Sequence, residues 1–418
     1  MPCAELQLAF RGEEDMDYLT GNPQITFFVF VYKRYTNFAI ENIEEVLEGN
    51  PMFGGKSYVK LGRYGDLISK MYLDVVLPSL NPTNNPSYAI SWVNSIGHAL
   101  IKKLELEIGG NIIDTQYGIF MEINDELTIP SEKKYGYYDM IGKHSYFNVT
   151  MQQKQLHLRI PLFFWFCTNI GLSLPNIALQ NSEIRLIITF NDFNQLWVSS
   201  TGKLTPFINP KEISITSVNL LTDYIFLDDD ERRLFVSKPH QYLIEQVSRN
   251  YITTSLNATN NIIQLDEFEH PVKELIWVFR RCSSINNHVP GGGNELFNFS
   301  DRPTYLSLQQ EDPMTSAIIY FEGNYRFWPA RDAKYFREVE PYSRHHNIPD
   351  NFIYIYSFSL KPDEDQPTGT CNFSKIDNSQ LNVIIKETVT NDIDIHIFAP
   401  CYNILIIDGG MACLKYGY

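Results

Sequence analysis

Apolar and polar residues alternate with a period of two along much of this chain. In KKLELEIGG, residues 102–110, three apolar side chains alternate with charged ones, and Gly109-Gly110 then supplies the positive φ of a tight turn. This segment predicts a strand that ends in a hairpin. The alternation recurs at 155–160, 212–218, 351–360 and 391–398. Apolar segments that predict strands buried on both faces lie at 25–32, 184–190 and 402–410.

Helical patterns are scarce in the sequence. The clearest is LDDDERRLF at 227–235, where Asp228 is placed to cap the first turn and acidic residues precede two arginines. The connections between strands are rich in Asn, Pro and Gly, as at 80–87 and 289–295. The pattern predicts an all-β fold of the sandwich or jelly-roll type with few short helices, rather than βαβ units.

The length of 418 residues indicates two domains, each large enough to bury its own core. TPFINPKE, residues 205–212, places two prolines between apolar segments. We therefore predict the domain boundary near residue 210.

Charge and cysteine content exclude several classes of protein. A net charge of -15, from 34 Lys and Arg against 49 Asp and Glu, disfavours direct contact with nucleic acid or acidic lipid. No segment approaches the roughly 18 to 20 apolar residues that cross a bilayer, and Glu5 and Arg11 interrupt any signal-peptide core. The six cysteines lack the spacing of a zinc site, which fits folding in a reduced, intracellular place. We expect neither a membrane span nor secretion by the usual route.

One group of residues has the spacing of a metal site. In NDIDIHIF, Asp392, Asp394 and His396 stand at i, i+2 and i+4, so a strand projects them from one face where they could jointly hold a divalent ion. The alternative is that the isoleucines between them face the core and the polar trio is the solvent face of the strand.

Other motifs do not predict catalysis or a cofactor. GGKS at 54–57 lacks the first glycine of a Walker A motif, and the residues after it alternate like a strand. The acidic segment KPDEDQPTG at 361–369 lacks the spacing of an EF-hand and is interpreted as a solvated turn. His345-His346 would point to opposite faces of a strand. We expect no enzyme activity, no catalytic residue and no cofactor.

Four N-x-[ST] sequons are present in the sequence. Without a signal peptide, we expect the secretory machinery to leave them unmodified. They are Asn148, Asn257, Asn298 and Asn372.

Six segments spread along the chain carry a family resemblance. YLTGNPQITFFVFVYKRYTNF, residues 18–38, is a long N-terminal signature that resembles the double jelly-roll major capsid proteins of nucleocytoplasmic large DNA viruses. The resemblance covers essentially the whole chain. Its other segments lie at 63–73, 163–184, 227–235, 270–280 and 356–378.

The resemblance implies a fold and a function. It implies an N-terminal arm at 1–25 and two consecutive eight-stranded antiparallel jelly rolls, at 26–210 and 211–418. It also implies a structural capsid protein of which three copies form a homotrimer with a pseudo-hexagonal outline, and such capsomers tile the icosahedral shell. The expected partners are then other copies of the chain, neighbouring capsomers and minor capsid proteins beneath the shell. Assembly is expected in the cytoplasm of the infected host cell.

Two alternative functions stay open at this point. The chain is somewhat shorter than many members of the family, so it can also be a minor capsid paralogue. Because jelly rolls host lectins and metal enzymes as well, a carbohydrate-binding or cupin-like protein is the other alternative. For that alternative, Asp392, Asp394 and His396 are the candidate ligands.

Overall fold

The structure is a computed structural model that describes residues 3–9, 20–22, 34–49, 51–80, 89–144, 155–204, 213–254, 260–290, 292–306, 309–386 and 392–417. The chain divides into two compact units, Met1–Phe38 and Ala39–Tyr418. The first unit contains helix α1, Cys3–Ala9. The strand predicted at 25–32 lies outside the described residues.

The first half of the described chain forms two four-stranded sheets. The strands are β1 Phe38–Val46, β2 Lys56–Lys60, β3 Leu67–Leu77, β4 Ile90–Trp92, β5 Ile101–Ile108, β6 Asn111–Gln116, β7 Leu156–Pro161, β8 Ile184–Phe190, β9 Trp197–Ser199 and β10 Ser217–Leu227. Strand order is β1-β10-β3-β7 in one sheet and β2-β8-β5-β6 in the other, while β4 and β9 pair separately. β3 pairs antiparallel with β7 and β10, and the pairs in the other sheet and between β4 and β9 are antiparallel as well.

The second half forms a seven-stranded and a five-stranded antiparallel sheet. The strands are β11 His240–Thr254, β12 Asn260–Gln264, β13 Pro271–Val272, β14 Glu274–Arg281, β15 Met314–Phe321, β16 Asn324–Tyr325, β17 Arg331–Asp332, β18 Tyr354–Ser357, β19 Cys371–Asn372, β20 Ser379–Ile385, β21 Ile393–Asp408 and β22 Met411–Leu414. In the seven-stranded sheet, β21 is the central strand and pairs with β11, β13, β14 and β22. The five-stranded sheet has the order β12-β20-β15-β16, with β17 also paired to β15.

The helices are short and lie in the connections between strands. They are α2 Ile96–Leu100, α3 Gly118–Thr128, α4 Ser131–Ile141, α5 Trp165–Thr168, α6 Asp229–Ser237 and α7 Glu340–Arg344, the last preceded by a π-helical turn at Tyr335–Val339. The helix predicted at 227–235 is confirmed as α6, and the Asp228 side chain caps it by accepting a hydrogen bond from the Asp229 amide. Among the described helices, none is long and apolar enough to cross a bilayer.

Most strands predicted from the sequence are present, with bounds that differ at their ends. The segments 391–398 and 402–410, predicted as two separate strands, form the single strand β21, Ile393–Asp408. The hairpin at 102–110 is formed by β5 and β6, with Gly109 and Gly110 at φ 61° and 87°. The strand predicted at 212–218 begins only at Ser217. The strand predicted at 351–360 ends at Ser357, because the next two amides both donate to the Lys273 carbonyl and turn the chain.

The domain boundary predicted near residue 210 falls in 205–212, outside the described residues. β10 follows this segment and pairs with β3, so the first pair of sheets extends to Leu227. The division of the chain at residue 210 stays a prediction.

Each half has its own hydrophobic core, and each core also contains side chains that belong to the other half. The core of the second half includes Phe120 and Ile123 of α3, which belongs to the first half. The core of the first half includes Leu405 and Ile407 from the end of β21, and Ala412 of β22. Full burial of one large aliphatic or aromatic side chain contributes about 1.5 to 3 kcal/mol. Each half therefore stabilises the other through these exchanged residues.

Candidate functional site

The structure separates the candidate metal residues Asp392, Asp394 and His396. Asp392 is exposed and precedes β21, whereas Asp394 and His396 lie on β21 and are buried. β21 pairs with β11 along one edge and with β14 along the other, and nearly all its side chains are buried. The interpretation of the trio as a solvent face is therefore wrong for Asp394 and His396. Alternation shows which residues share a face, but not whether another layer covers that face.

The Asp394 carboxylate already has partners within the protein. The hydroxyl groups of Tyr251 and Thr253 donate to it at 2.8 and 2.9 Å, and Arg280 Nη2 lies 3.2 Å away. Burial raises the pKa of Asp394, but these hydrogen bonds and the charge of Arg280 outweigh burial and lower the pKa overall. The carboxylate is thus ionised and balanced by a guanidinium.

His396 lies beside two arginines. Arg249 Nη2 donates to its Nδ1 at 2.9 Å. Burial lowers the pKa of His396, and the charges of Arg280 and Arg249 lower it further, so the imidazole is neutral. A metal ion here would add a third positive charge next to two guanidinium groups. The contacts favour a structural role for Asp394 and His396 in joining β11, β14 and β21.

Two of the four sequons can be placed in the structure. Asn148 and Asn257 lie outside the described residues. Asn298 is half-buried, and its amide donates to the Glu295 carboxylate at 2.6 Å. Asn372 is exposed, and its side-chain oxygen accepts from the Ser374 amide.

A buried ionic cluster surrounds Lys143, which follows α4. Its ammonium lies 2.9 Å from Glu122 Oε1, 3.2 Å from Asp125 Oδ1 and 3.3 Å from Glu126 Oε1. The three acidic side chains are buried, and the Lys143 side chain is 9% exposed. The three acidic residues belong to α3, where spacings of three and four residues place side chains on one face.

His98 of α2 extends this cluster. Its Nδ1 lies 2.8 Å from Glu122 Oε2, and its Nε2 lies 3.1 Å from the Tyr137 hydroxyl. Ser95 Oγ donates to the other oxygen of Glu122 at 2.9 Å. Burial lowers the pKa of His98 more than Glu122 raises it, so the ring is neutral.

The proton balance of the Lys143 cluster follows from its geometry. Burial and the charge of Glu122 together raise the pKa of Asp125 to about 8, despite the opposing effect of Lys143. Burial also raises the pKa of Glu122, but Lys143 and His98 outweigh burial and hold that pKa at about 2. Asp125 is therefore protonated at neutral pH, and Glu122 is ionised against the ammonium.

His98, Glu122 and Asp125 have ligand atoms within 4.8 Å of one another, and no other such group of three occurs in the part of the chain that the structure describes. The Lys143 ammonium is within hydrogen-bonding distance of both carboxylates, so it already supplies the cation. Sequence reasoning missed this cluster because α2, α3 and Lys143 meet only in the fold. The available signal was the set of acidic residues within the otherwise apolar helix GIFMEINDELT.

The Lys143 cluster also connects the two halves of the chain. Asn351 donates to Glu126 through its backbone amide at 3.0 Å and through Nδ2 at 2.7 Å. Asn347 Nδ2 donates to the carbonyl oxygens of Ile129 and Leu127 at 2.6 and 3.3 Å. These bonds hold the segment after α7 against the C-terminal end of α3.

A second ionic cluster is centred on His345, directly after α7. Its Nδ1 lies 2.7 Å from Asp363 Oδ1 and its Nε2 lies 2.9 Å from Glu274 Oε2, and all three side chains are buried. Burial lowers the pKa of His345, but Glu274 and Asp363 together raise it more, to about 10. The imidazole is therefore charged at neutral pH and joins α7 to β14 and to the segment 361–369.

This second cluster corrects two interpretations of the sequence. Asp363 is buried, so the interpretation of 361–369 as a solvated turn is wrong for this residue. His346 Nδ1 lies 2.9 Å from the second oxygen of Asp363, so His345 and His346 share one carboxylate. The expectation of opposite faces fails because the pair lies in a bend rather than in a strand.

A cavity of about 440 Å³ lies beside the His345 cluster, between the two halves of the chain. Lys273 Nζ, on its wall, is 2.7 Å from Glu245. Burial raises the pKa of the Cys167 thiol to about 12, so this lining cysteine is protonated and unreactive at neutral pH. Lys273 and Glu245, and His345 with Glu274 and Asp363, thus form internal ion pairs on the wall. Other lining residues include Asp114, Phe120, Trp165, Glu274 and Tyr402.

The arrangement of sheets defines the class of protein. Each half contains a pair of sheets, packed around its own core, in which most neighbouring strands are distant in sequence. This is jelly-roll architecture, present twice in succession.

Two family models match the chain in succession. "Major capsid protein N-terminus" matches residues 26–228, and "Large eukaryotic DNA virus major capsid protein" matches residues 231–413. The chain is 36% identical to the major capsid protein of Pyramimonas orientalis virus and 33% identical to that of Paramecium bursaria Chlorella virus 1, each over 98% of both chains. This chain belongs to the family of major capsid proteins of large eukaryotic DNA viruses.

Solved structures agree with this assignment. The crystal structure of PBCV-1 VP54, fitted into a cryo-EM reconstruction of the virophage Sputnik, is 30% identical and similar over 94% of this chain and 100% of that chain, with a TM-score of 0.79. The Faustovirus major capsid protein shares the fold, with a TM-score of 0.77 at 13% identity over 97% of this chain and 96% of that chain. The predicted all-β, double jelly-roll fold and the capsid family are confirmed. The number of eight strands per roll stays a prediction.

Proposed function

We propose that this structural protein of the virion capsid is the main shell subunit, and that three copies form a pseudo-hexagonal homotrimeric capsomer. The observation that supports this most is the similarity to VP54 over 94% of the chain, which includes both halves. A ring of three two-lobed chains has six lobes, and a closed cyclic arrangement is how most homo-oligomers satisfy their interfaces. Such capsomers then tile the icosahedral shell.

The proposal includes the arrangement within the chain and its partners. Residues 1–25 act as an arm toward neighbours or inner-shell components, followed by one jelly roll at 26–210 and a second at 211–418. Neighbouring capsomers and minor capsid proteins are the further partners, and assembly takes place in the host cytoplasm. The net charge of -15 supports a shell role without direct nucleic-acid binding.

The first test is the native mass of the purified chain by light scattering on a sizing column. One chain has a mass of 48.4 kDa, so the expected trimer is 3 × 48.4, about 145 kDa. Contacts within the trimer should be large and partly apolar, and contacts between capsomers smaller and more polar. A mass that stays at 48.4 kDa at all concentrations would contradict self-assembly.

Two alternatives predict different outcomes. A minor capsid paralogue would be present at much lower abundance than the main shell protein in purified particles. A carbohydrate-binding or cupin-like protein would hold a stoichiometric metal ion that an Asp394→Ala variant loses. The hydrogen bonds and guanidinium at Asp394 favour the capsid proposal over this second alternative.

A further inference from the structure

One exposed sheet edge in the second half is rich in aromatic and basic residues. β16 and β17 pair with β15 at the edge of the five-stranded sheet, and the residues between them are largely exposed. Trp328 is 69% exposed and Tyr325 is 53% exposed, and their ring centroids are 4.8 Å apart. Together with Arg326 and Arg331 they form what we term the aromatic edge. Large exposed aromatic groups of this kind mark interaction surfaces.

The aromatic edge is supported by the sheet beneath it. Tyr320 of β15 packs against Tyr325 with ring centroids 5.0 Å apart. Arg326 Nε donates to the Tyr356 hydroxyl at 3.1 Å. A surface that is already ordered loses little conformational entropy when it binds.

The aromatic edge is also basic, on a protein that is strongly acidic overall. Between Asn324 and Lys334 there are three basic residues and one acidic residue, whereas the whole chain has a net charge of -15. A complementary surface should therefore be acidic as well as apolar.

β1 presents such a surface in the first half. It is the outer strand of the sheet β1-β10-β3-β7, and no other described strand pairs with its outer edge. Ile40, Glu44 and Val46 stand at alternate positions of β1 and so share one face of the strand. All three are exposed, Val46 to 74%, and the Asn219 side chain of β10 donates a hydrogen bond to the Glu44 carboxylate. We term these three residues the acidic edge. A nine-residue edge strand with exposed apolar side chains is a surface that proteins cover by association.

We propose that, within the capsomer, the aromatic edge of each copy docks on the acidic edge of the next copy. This inference rests on the proposed trimer. In a ring of two-lobed chains, the second half of one chain is adjacent to the first half of the next, so contact between two different edges closes the ring. The aromatic rings cover Ile40 and Val46 of β1, and the arginines lie against Glu44.

Charge reversal tests this contact directly. Arg331→Glu and Glu44→Arg are made singly and together, and the native mass is measured by light scattering over a dilution series. Each single variant is expected to raise the midpoint concentration for trimer dissociation about tenfold or more, because it places like charges together. The double variant is expected to recover most of the loss, since the opposite charges are restored with exchanged positions.

Removal of the central ring provides a second measurement. Trp328→Ala is expected to weaken the trimer about tenfold or more, as is typical when a tryptophan anchor is truncated. Tyr135→Ala is the matched control, because Tyr135 is 89% exposed on α4 and belongs to neither edge. Far-UV circular dichroism and the melting temperature show that each variant is folded.

The outcomes separate the two proposals. If the wild type is a trimer and the Arg331→Glu and Trp328→Ala variants dissociate at the same midpoint concentration as the wild type, the contact between the two edges is wrong. The capsomer proposal would then still stand. Variants that form normal trimers but do not assemble into shells would show that the aromatic edge makes its contacts between capsomers. This result would also overturn the proposed contact within the capsomer. Weakened single variants without recovery in the double variant would show that these two edges are not partners. A monomeric wild type would contradict the capsomer itself, and this contact with it.

Discussion

At the scale of single residues, buried charge is balanced by very few cations. Lys143 serves Glu122, Asp125 and Glu126 together, and the neutral His98 adds a hydrogen bond rather than a charge. A buried ion pair adds little stability compared with an apolar replacement of the whole set, but removal of one partner leaves uncompensated charge. The cluster is therefore sensitive to substitution of its single cation.

Replacement of Lys143 by methionine is expected to lower the free energy of unfolding by about 3 to 5 kcal/mol, because Glu122 loses its counter-charge in a buried site. Urea denaturation of the purified chain measures the loss. The matched control is Lys133→Met, since Lys133 is exposed on the neighbouring α4 and should change stability by less than about 0.5 kcal/mol. Equal effects of the two substitutions would show that the ammonium does not neutralise the cluster.

Asp125 is expected to make stability fall as pH rises. Its pKa is about 8 in the folded chain against 3.8 for an ordinary aspartate, so the folded state holds a proton that the unfolded state has released between these values. The contribution is full below about pH 4 and is lost as pH rises through about 8. Asp125→Asn removes the titration, and its stability should decline less from pH 5 to pH 8 than that of the wild type. If the free energy of unfolding from urea denaturation falls equally with pH in the wild type and in Asp125→Asn, Asp125 is already ionised in the folded chain.

At the scale of elements, strands and short helices are fixed by side chains from distant segments. α7 has five residues, too few to be stable alone, and His345 attaches its end to Glu274 of β14 and to Asp363. β21 shows the same dependence, because partners on both edges bury even its charged residues. Local pattern specifies these elements, and their neighbours determine what is covered.

Substitution of His345 by glutamine is expected to release α7 and the segment 361–369. The variant should lose about 2 to 4 kcal/mol at pH 7, because Glu274 and Asp363 are left without the imidazolium. Hydrogen exchange should increase in both segments. The wild-type contribution is present below the ordinary pKa of 6.5 and is lost as pH rises through about 10. His346→Gln is the control, since that ring is largely exposed; an equally large effect there would assign the stabilisation to the wrong histidine.

At the scale of the whole molecule, the unfolding of the two halves is coupled because each hydrophobic core contains side chains from the other half. α3 from the first half packs in the second core, while β22 and the end of β21 pack in the first. The hydrogen bonds from Asn347 and Asn351 to α3 reinforce the same junction. Neither half can unfold without exposing apolar surface of the other.

We therefore expect wild-type protein to unfold in a single calorimetric transition, and Phe120→Ala to shift that whole transition. The substitution removes a ring packed against Phe398, with centroids 5.3 Å apart, and should cost about 3 to 5 kcal/mol. Tyr342→Ala is the control, because Tyr342 is exposed on α7. Two resolved transitions, of which Phe120→Ala shifts only one, would show that the halves are independent.

The sequence by itself determined the all-β class, the Gly109-Gly110 hairpin, the capped helix α6 and the capsid family. Each of these depends on local alternation, on turn and cap residues, or on motifs that are continuous in the chain. The tertiary structure alone decided that Asp394 and His396 are buried, that Asp363 joins two histidines, and that Lys143 supplies the cation for α3. The physical reason is that burial and ionic balance depend on which distant segments pack together, and a period of two carries no information about that packing.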